Sequence, residues 1–285
     1  MRKERTMQKP RKKRRLGRKL LLILLLALIA VLTWSALSPL PETGVTEMSW
    51  LKEIPIAHRG LHTSTAAENS LLAFGDAIDA GYCVEFDLRL CASGEIVVIH
   101  DANLKRVSGR EGKVAELTLD ELRDYELING GRVSTLQEAL DFVDSRTPLL
   151  IEIKPARGTR ELADKMLPLL DAYGGEFAVQ SFDPWLCRYV KGLRPDWQVG
   201  LLDNGLGFGP AWLRLALDKL LIRVCRPDFI SYRYQAILPA MLDDYRARGT
   251  AVLAYWTTED QIASGDYLER ADNIIFDREP LIGRD

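Results

Sequence analysis

Val84-Glu85-Phe86-Asp87-Leu88-Arg89-Leu90 alternates strictly between apolar and charged side chains. That is the period of a β-strand, so Val84, Phe86, Leu88 and Leu90 share one face while Glu85, Asp87 and Arg89 share the other. The apolar face suits packing under helices. The charged face has to point somewhere that tolerates two carboxylates, because ionised groups away from water are costly unless paired or bound to a cation. Leu149-Leu150-Ile151-Glu152-Ile153-Lys154 repeats the arrangement, with Glu152 and Lys154 opposite Leu149, Ile151 and Ile153. Strands that cover helices on one face and turn polar groups toward a common axis on the other are the staves of a parallel barrel.

On both sides of these runs, short apolar stretches alternate with amphipathic ones, the order expected of a parallel sheet with crossover helices. Further strands are predicted near Ile54–Ala57, Ile96–Ile99, Phe177–Gln180, Gln198–Leu202, Asp228–Ile230, Ala251–Ala254 and Asn273–Ile275. Helices are predicted at Ser70–Ala80, Thr135–Val143, Thr159–Ala172, Pro184–Leu193, Ala211–Leu220, Pro239–Arg248 and Thr258–Asp266. Around eight such units predict an α/β fold, a TIM-type (β/α)8 barrel, with a truncated final helix because little chain follows Pro280. A small insertion after the second strand, about 101–134, carries one predicted helix, Thr118–Glu126.

The N-terminus reads differently. Of the 38 Lys and Arg in the 285-residue chain, eleven lie in residues 1–19 beside a single acid, Glu4, and the uncharged run Leu20–Leu37 follows at once. A cationic stretch flanking about eighteen uncharged residues predicts a single-pass transmembrane helix with its basic end in the cytoplasm and the rest of the chain outside, Trp34 suiting the far interface. A signal peptide cleaved near Ala36 and Ser38 is the competing reading. The apolar run exceeds the usual ~7–15 residues of such peptides, and Pro39 would follow the cut, so an uncleaved cell-membrane anchor is favoured. The expected division is a cytoplasmic tail (1–19), a transmembrane helix (20–37), a linker (38–50) rich in Pro and Gly, and a barrel domain (51–285).

Beyond the tail there remain 27 basic and 39 acidic residues, a net charge of about minus twelve that argues against a nucleic-acid partner. Outside the cytoplasm the four cysteines are open to oxidation. Cys83 and Cys91, however, bracket one strand and would lie more than about 20 Å apart if it is extended, which argues against a bond between them. The sequence carries no signal for oligomeric state.

Glu85, Asp87 and Glu152 converging from neighbouring strands make an oxygen-rich site suited to a hard divalent cation, Ca²⁺ or Mg²⁺; the alternative is an internal ion-pair network with Arg89 and Lys154. Two of the three histidines, His58 and His100, follow predicted strands directly, where barrels place catalytic groups. An imidazole near its ordinary pKa exchanges protons at neutral pH, so a pair flanking a cation can divide the roles of base and acid. His62 has no such setting and reads as a loop residue.

His58-Arg59-Gly60, Glu68-Asn69-Ser70, Glu85-x-Asp87, His100-Asp101 and Glu152-x-Lys154, in that order, resemble the glycerophosphodiester phosphodiesterase family over about Ile54–Asp277. The resemblance implies His58 and His100 as the acid/base pair, Glu85, Asp87 and Glu152 as metal ligands, and Arg59 and Lys154 facing the phosphate. It also implies metal-dependent hydrolysis of glycerophosphodiesters to glycerol 3-phosphate and an alcohol. In that scheme the glycerol 2-hydroxyl attacks phosphorus, and water then opens the cyclic phosphate. Gln180-Ser181-Phe182 and Tyr255-Trp256-Thr257 resemble later strand ends, with Trp256 a wall against the glycerol carbons. Ser70 stands where the family usually has Thr, and Phe276 precedes Asp277 where a small hydroxyl residue is more common. Two other readings stay open: a lysophospholipase D-like activity on membrane lipids, which a long apolar groove beside the insertion would favour, and a catalytically silent membrane-tethered barrel.

Overall fold

The computed structural model describes residues 11–40, 49–205, 209–255 and 265–277. In chain order its strands are β1 (Ile56–Ala57), β2 (Cys83–Leu90), β3 (Ile96–Val98), β4 (Leu149–Ile153), β5 (Phe177–Ser181), β6 (Gln198–Asp203), β7 (Phe229–Arg233), β8 (Ala251–Tyr255) and β9 (Asn273–Phe276). Among the described residues, eight of these, all but β3, pair in parallel in the order β1-β2-β4-β5-β6-β7-β8-β9 and close through β9 onto β1. The expected barrel is therefore present.

Its helices are α1 (Arg11–Leu37), α2 (Ser49–Glu53), α3 (Leu71–Asp79), α4 (Lys105–Ser108), α5 (Leu119–Arg123), α6 (Leu136–Val143), α7 (Thr159–Asp171), α8 (Pro184–Leu193), α9 (Ala211–Cys225) and α10 (Pro239–Arg248). Local chemistry fixes several starts. Ser70 caps α3 by accepting from Ala73 N, and Thr135 and Glu138 form a reciprocal capping box at α6. Asp183 caps α8, whose first residue is Pro184, where a missing N–H costs nothing. The predicted segment Thr258–Asp266 lies almost wholly outside the described residues.

β3 departs from the parallel reading. It runs antiparallel to β2, Leu88 opposite Val98 and Leu90 opposite Ile96. The amide of Ile99 donates to the carbonyl of Asp87 (2.9 Å), while the next carbonyl, Leu88, accepts from Lys154 of the other neighbour (3.2 Å). β3 thus occupies the same edge of β2 as β1, above the point where the two-residue β1 ends. The chain folds back down the rim and returns His100 to the level of Asp87. The rest of the excursion, α4, α5 and a 3₁₀ turn at Val114–Glu116, buries its own apolar cluster around Leu104, Val114 and Leu122.

Two layers of core follow from the alternation. Val84, Phe86, Leu88, Ile151 and Ile153 pack outward under the helices, whereas Ile56, Cys83, Leu150, Ala178, Phe229, Ala251 and Leu253 fill the barrel. The Phe229 ring occupies the space beside Gly200, where an added Cβ would stand 2.2 Å from a ring carbon. α2 plugs the end where the strands begin. Trp50 and Leu51 join the interior cluster, and Asn273 Nδ2 donates to the carbonyls of Leu51 (2.9 Å) and Ile54 (2.7 Å). With that end sealed, the interior is reached from the rim where the strands end. All four cysteines are buried and unpaired, and burial pushes the Cys83 thiol up to about 12.

Among the described residues one helix, at the N-terminus, is long and apolar enough to cross a membrane: Gly17–Leu37 within α1 has a mean hydropathy of 2.8, and its leucines from Leu20 to Leu28 are exposed. The C-terminal end of α1 docks on α9. Ser35 Oγ donates to the carbonyl of Ala216 (2.9 Å), Lys219 Nζ to that of Ala36 (3.1 Å), and Arg223 Nη2 to that of Ser38 (2.8 Å). These cations satisfy the last carbonyls of α1, where the helix dipole is negative. Arg223 also lies over the Trp34 ring, 4.8 Å from its centroid.

Candidate active site

At the rim β1 ends in a turn that explains His58-Arg59-Gly60. Arg59 has a left-handed backbone (φ 60°), its amide donating to Glu85 Oε2 at 2.8 Å. Gly60 follows with φ 76°, and a Cβ there would meet the Ala73 backbone at 2.7 Å, so only glycine fits. The turn seats the Arg59 guanidinium between Glu68 (2.9 Å) and Asp87 (3.4 Å). A left-handed non-glycine residue at a functional rim is strain retained for placement.

Glu85, Asp87 and Glu152 are buried, and one oxygen of each lies within 4.8 Å of the others. Asp87 is clamped from the side opposite the cluster: Asn69 Nδ2 donates to Asp87 Oδ2 (2.8 Å), and the Asp87 amide donates to Asn69 Oδ1 (3.1 Å). Lys154 Nζ bridges Asp87 Oδ1 (2.8 Å) and Glu152 Oε1 (2.6 Å). Glu85 Oε1 is buried with no hydrogen-bond partner among the described residues. Burial, then repulsion from Asp87 and Glu152, pushes the Glu85 carboxyl well above its ordinary range, and burial with Asp87 raises Glu152 to about 7. Burial would raise Asp87 too, but the Lys154 and Arg59 cations outweigh it and hold Asp87 below the usual carboxylate range. Three carboxylates with an orphaned oxygen and fewer counter-cations than a neutral cluster needs match the all-oxygen donor set of a hard divalent cation. The ion-pair alternative accounts for Asp87 and Glu152 but not for Glu85.

Two imidazoles stand over this cluster, each held through Nδ1. His58 Nδ1 is 2.5 Å from Asp277 Oδ1, and His100 Nδ1 is 2.6 Å from Asp101 Oδ1. A carboxylate at Nδ1 fixes the ring and its tautomer, leaving Nε2 for the cavity. Arg106 ties Asp101 (2.6 Å) to Glu68 (2.6 Å), so the His100 support and the Arg59 support form one network. Arg89 Nε donates to the His100 carbonyl at 2.7 Å. Burial lowers the His100 pKa, Lys154 and Arg59 adding to the effect against the pull of Asp87.

The rim encloses a cavity of about 70 Å³ lined by His58, Arg59, Glu85, His100, Glu152 and Lys154 on its polar side. Phe182, Leu202, Tyr255 and Ile275 form the apolar side. Asp87 sits just beneath. Trp256 lies outside the described residues; Phe182 and Tyr255 provide the aromatic wall that is described. Residues that spacing alone did not single out are Asn69, Asp101 and Asp277, whose signal was only their place beside a motif residue or at an inward strand end. His62, read as a loop residue, has its Nε2 3.9 Å from Asp277 Oδ1.

A family model described as the glycerophosphoryl diester phosphodiesterase family matches residues 58–278. A curated glycerophosphodiester phosphodiesterase of Caldanaerobacter subterraneus subsp. tengcongensis is 31% identical over 164 residues, covering 53% of this chain and 67% of that protein. The crystal structure of a glycerophosphodiester phosphodiesterase from Thermotoga maritima aligns at a TM-score of 0.66 and 28% identity, covering 80% of this chain and 96% of that one. An Oleispira antarctica phosphodiesterase, solved in complex with the product sn-glycerol-3-phosphate, aligns at a TM-score of 0.71 and 22% identity, covering 82% and 97%, a likeness of fold. The match spans most of the chain and includes every rim residue described above, from His58 to Asp277, and the chain belongs to the glycerophosphoryl diester phosphodiesterase family of hydrolases.

Proposed function

We propose that the protein hydrolyses glycerophosphodiesters to glycerol 3-phosphate and an alcohol, with His58 and His100 exchanging the protons. The observation that carries this reading is the pair of imidazoles, each backed by a carboxylate at Nδ1, over one cluster of acids and cations. Glu85, Asp87 and Glu152 would hold a divalent cation, Ca²⁺ or Mg²⁺, which would supply Lewis-acid stabilisation of charge on the phosphate. Arg59 and Lys154 neutralise the phosphate and bear the charge that grows on it during displacement. One imidazole accepts the proton of the glycerol 2-hydroxyl as its oxygen bonds to phosphorus, and the other delivers a proton to the departing alcohol oxygen. The same groups then work in reverse sense on water, opening the cyclic phosphate to glycerol 3-phosphate. Phe182 and Tyr255 cover the glycerol carbons and exclude water from that side.

The purified protein is expected to release glycerol 3-phosphate from glycerophosphocholine in the presence of Ca²⁺ or Mg²⁺ and to stop when a chelator is added. Product formation unchanged by chelator would refute the cation's part, and none under any condition would favour the silent barrel.

The N-terminal helix supports a cell-membrane anchor, with residues 1–19 cytoplasmic, 20–37 spanning and the domain outside; the linker expected at 38–50 would end before α2, since Trp50 packs in the barrel interior. A cleaved signal sequence fits the same helix. Intact-mass analysis of the membrane fraction is expected to return the full 285-residue chain, and protease added to intact cells is expected to remove the domain. A species shortened near Ser38, or a domain protected from protease, overturns this placement.

A further inference from the structure

A second cavity, of about 120 Å³, meets the active site at Lys154, which lines both. It lies between the excursion after β2 and the start of α7, with Leu90, Val114 and Leu162 among its walls. Its charged walls are all cationic: Arg89, Lys154 and Arg157. The start of α7 contributes its N-cap Gly158 and first residue Thr159, and that thirteen-residue helix starts without a side-chain cap, so its dipole adds positive potential. Of the acids close by, Asp87 and Glu152 bridge Lys154 from the active-site side, which leaves Arg89 and Arg157 to set the groove's charge, and the others are engaged elsewhere. Glu161 is paired with Lys165 (2.9 Å), and Asp101 with Arg106 (2.6 Å) and His100 (2.6 Å).

With phosphate at Lys154, the apolar wall of Phe182, Leu202, Tyr255 and Ile275 suits the glycerol carbons, which leaves the basic side groove for the group on the other ester oxygen. We infer that this groove is the leaving-group subsite and that it selects alcohols bearing an anionic group, such as a further phosphate, over neutral or cationic ones. The inference rests on the reading of the rim as a glycerophosphodiesterase site. A quaternary ammonium is ordinarily received by aromatic faces, and the walls of this groove carry none. Arg157, with Arg89 beside it, repels choline and attracts a phosphorylated ring.

Three substrates separate the contributions: glycerophosphoinositol 4-phosphate, glycerophosphoinositol and glycerophosphocholine, whose leaving alcohols are anionic, neutral and cationic. The first two differ by one phosphoryl group, and the salt dependence below isolates its charge. The full-length protein with its cation is expected to show kcat/KM in that order, with about a tenfold preference for the phosphorylated over the plain inositol ester. Arg157 is exposed and touches none of the rim groups described above, so Arg157→Glu is expected to cut that preference about tenfold while leaving glycerophosphoinositol within about twofold of wild type. Raising salt from about 0.05 to 0.5 M should shrink the wild-type preference and leave that of the variant flat. Equal kcat/KM for the two inositol esters, or a preference unmoved by Arg157→Glu, overturns the subsite while the hydrolase reading stands. Failure to cleave any of the three removes both.

Discussion

Alanine at His100 is expected to lower kcat by about two to four orders of magnitude, and alanine at His58 to do the same, with folding intact. Both rings sit at the open rim, outside the two cores, so truncation leaves no cavity among packed side chains. What is lost is a proton carrier held at a set angle by Asp277 or Asp101 (2.5 and 2.6 Å). Replacing those carboxylates tests the argument further. Asp277→Asn and Asp101→Asn keep a hydrogen-bonding group at Nδ1 but permit the other tautomer, so each is expected to cost about tenfold to a hundredfold, less than loss of the ring. The measurement is kcat at saturating glycerophosphocholine, with circular dichroism melting as the check on folding. An alanine variant turning over within about threefold of wild type removes that imidazole from proton transfer. An asparagine variant more damaging than the matching alanine would mean that the carboxylate, not the ring, meets the substrate.

Alternation made the acids legible, and direction is what it left out. The run Val84–Leu90 shows which side chains share a face, and the barrel puts Glu85 and Asp87 inward as that pattern requires. Val97 and Val98 carry a strand's composition too, but composition has no arrow, and β3 proved antiparallel. His100 reached the rim because the chain folds back along the edge that the short β1 leaves free. Partners at long range were hidden for a different reason. Asp277 stands 219 positions from His58, and nothing local in either segment records that closure of β9 onto β1 brings them together. Asn69 is the intermediate case: its neighbours mark a motif, while its clamp on Asp87 exists only because the left-handed turn at Asn69 (φ 58°) aims the amide into the barrel.

Neutralising Glu85 should separate a cation site from an internal ion-pair network through the sign of a stability change. Three buried carboxylates share the two cations Lys154 and Arg59, and burial with repulsion from its two neighbours pushes the Glu85 carboxyl well above its ordinary range. Glu152 lies at about 7 in the folded state against 4.5 ordinarily, and Glu85 is raised in the same direction. A carboxyl raised on folding contributes stability that is present below its unfolded pKa and lost as pH rises through the folded one. The cation-free protein is therefore expected to lose stability between about pH 4.5 and 7. Asp87, held low, acts in the opposite sense, its contribution lost only in acid below its ordinary 3.8. Glu85→Gln keeps the oxygen that accepts from the Arg59 amide and removes one repelling charge, so at pH 8 without cation the variant should melt a few degrees above wild type, at about 2–4 °C per kcal/mol. Adding Ca²⁺ or Mg²⁺ at a hundred times its Kd stabilises wild type by about 2.7 kcal/mol, and the variant by less than half of that at the same concentration. If Glu85 instead balances Lys154 and Arg59, its neutralisation strands a cation, and the variant melts below wild type without any metal while responding to added cation just as wild type does. The two accounts differ in the direction of one melting shift at pH 8, which differential scanning calorimetry on chelated protein reads directly.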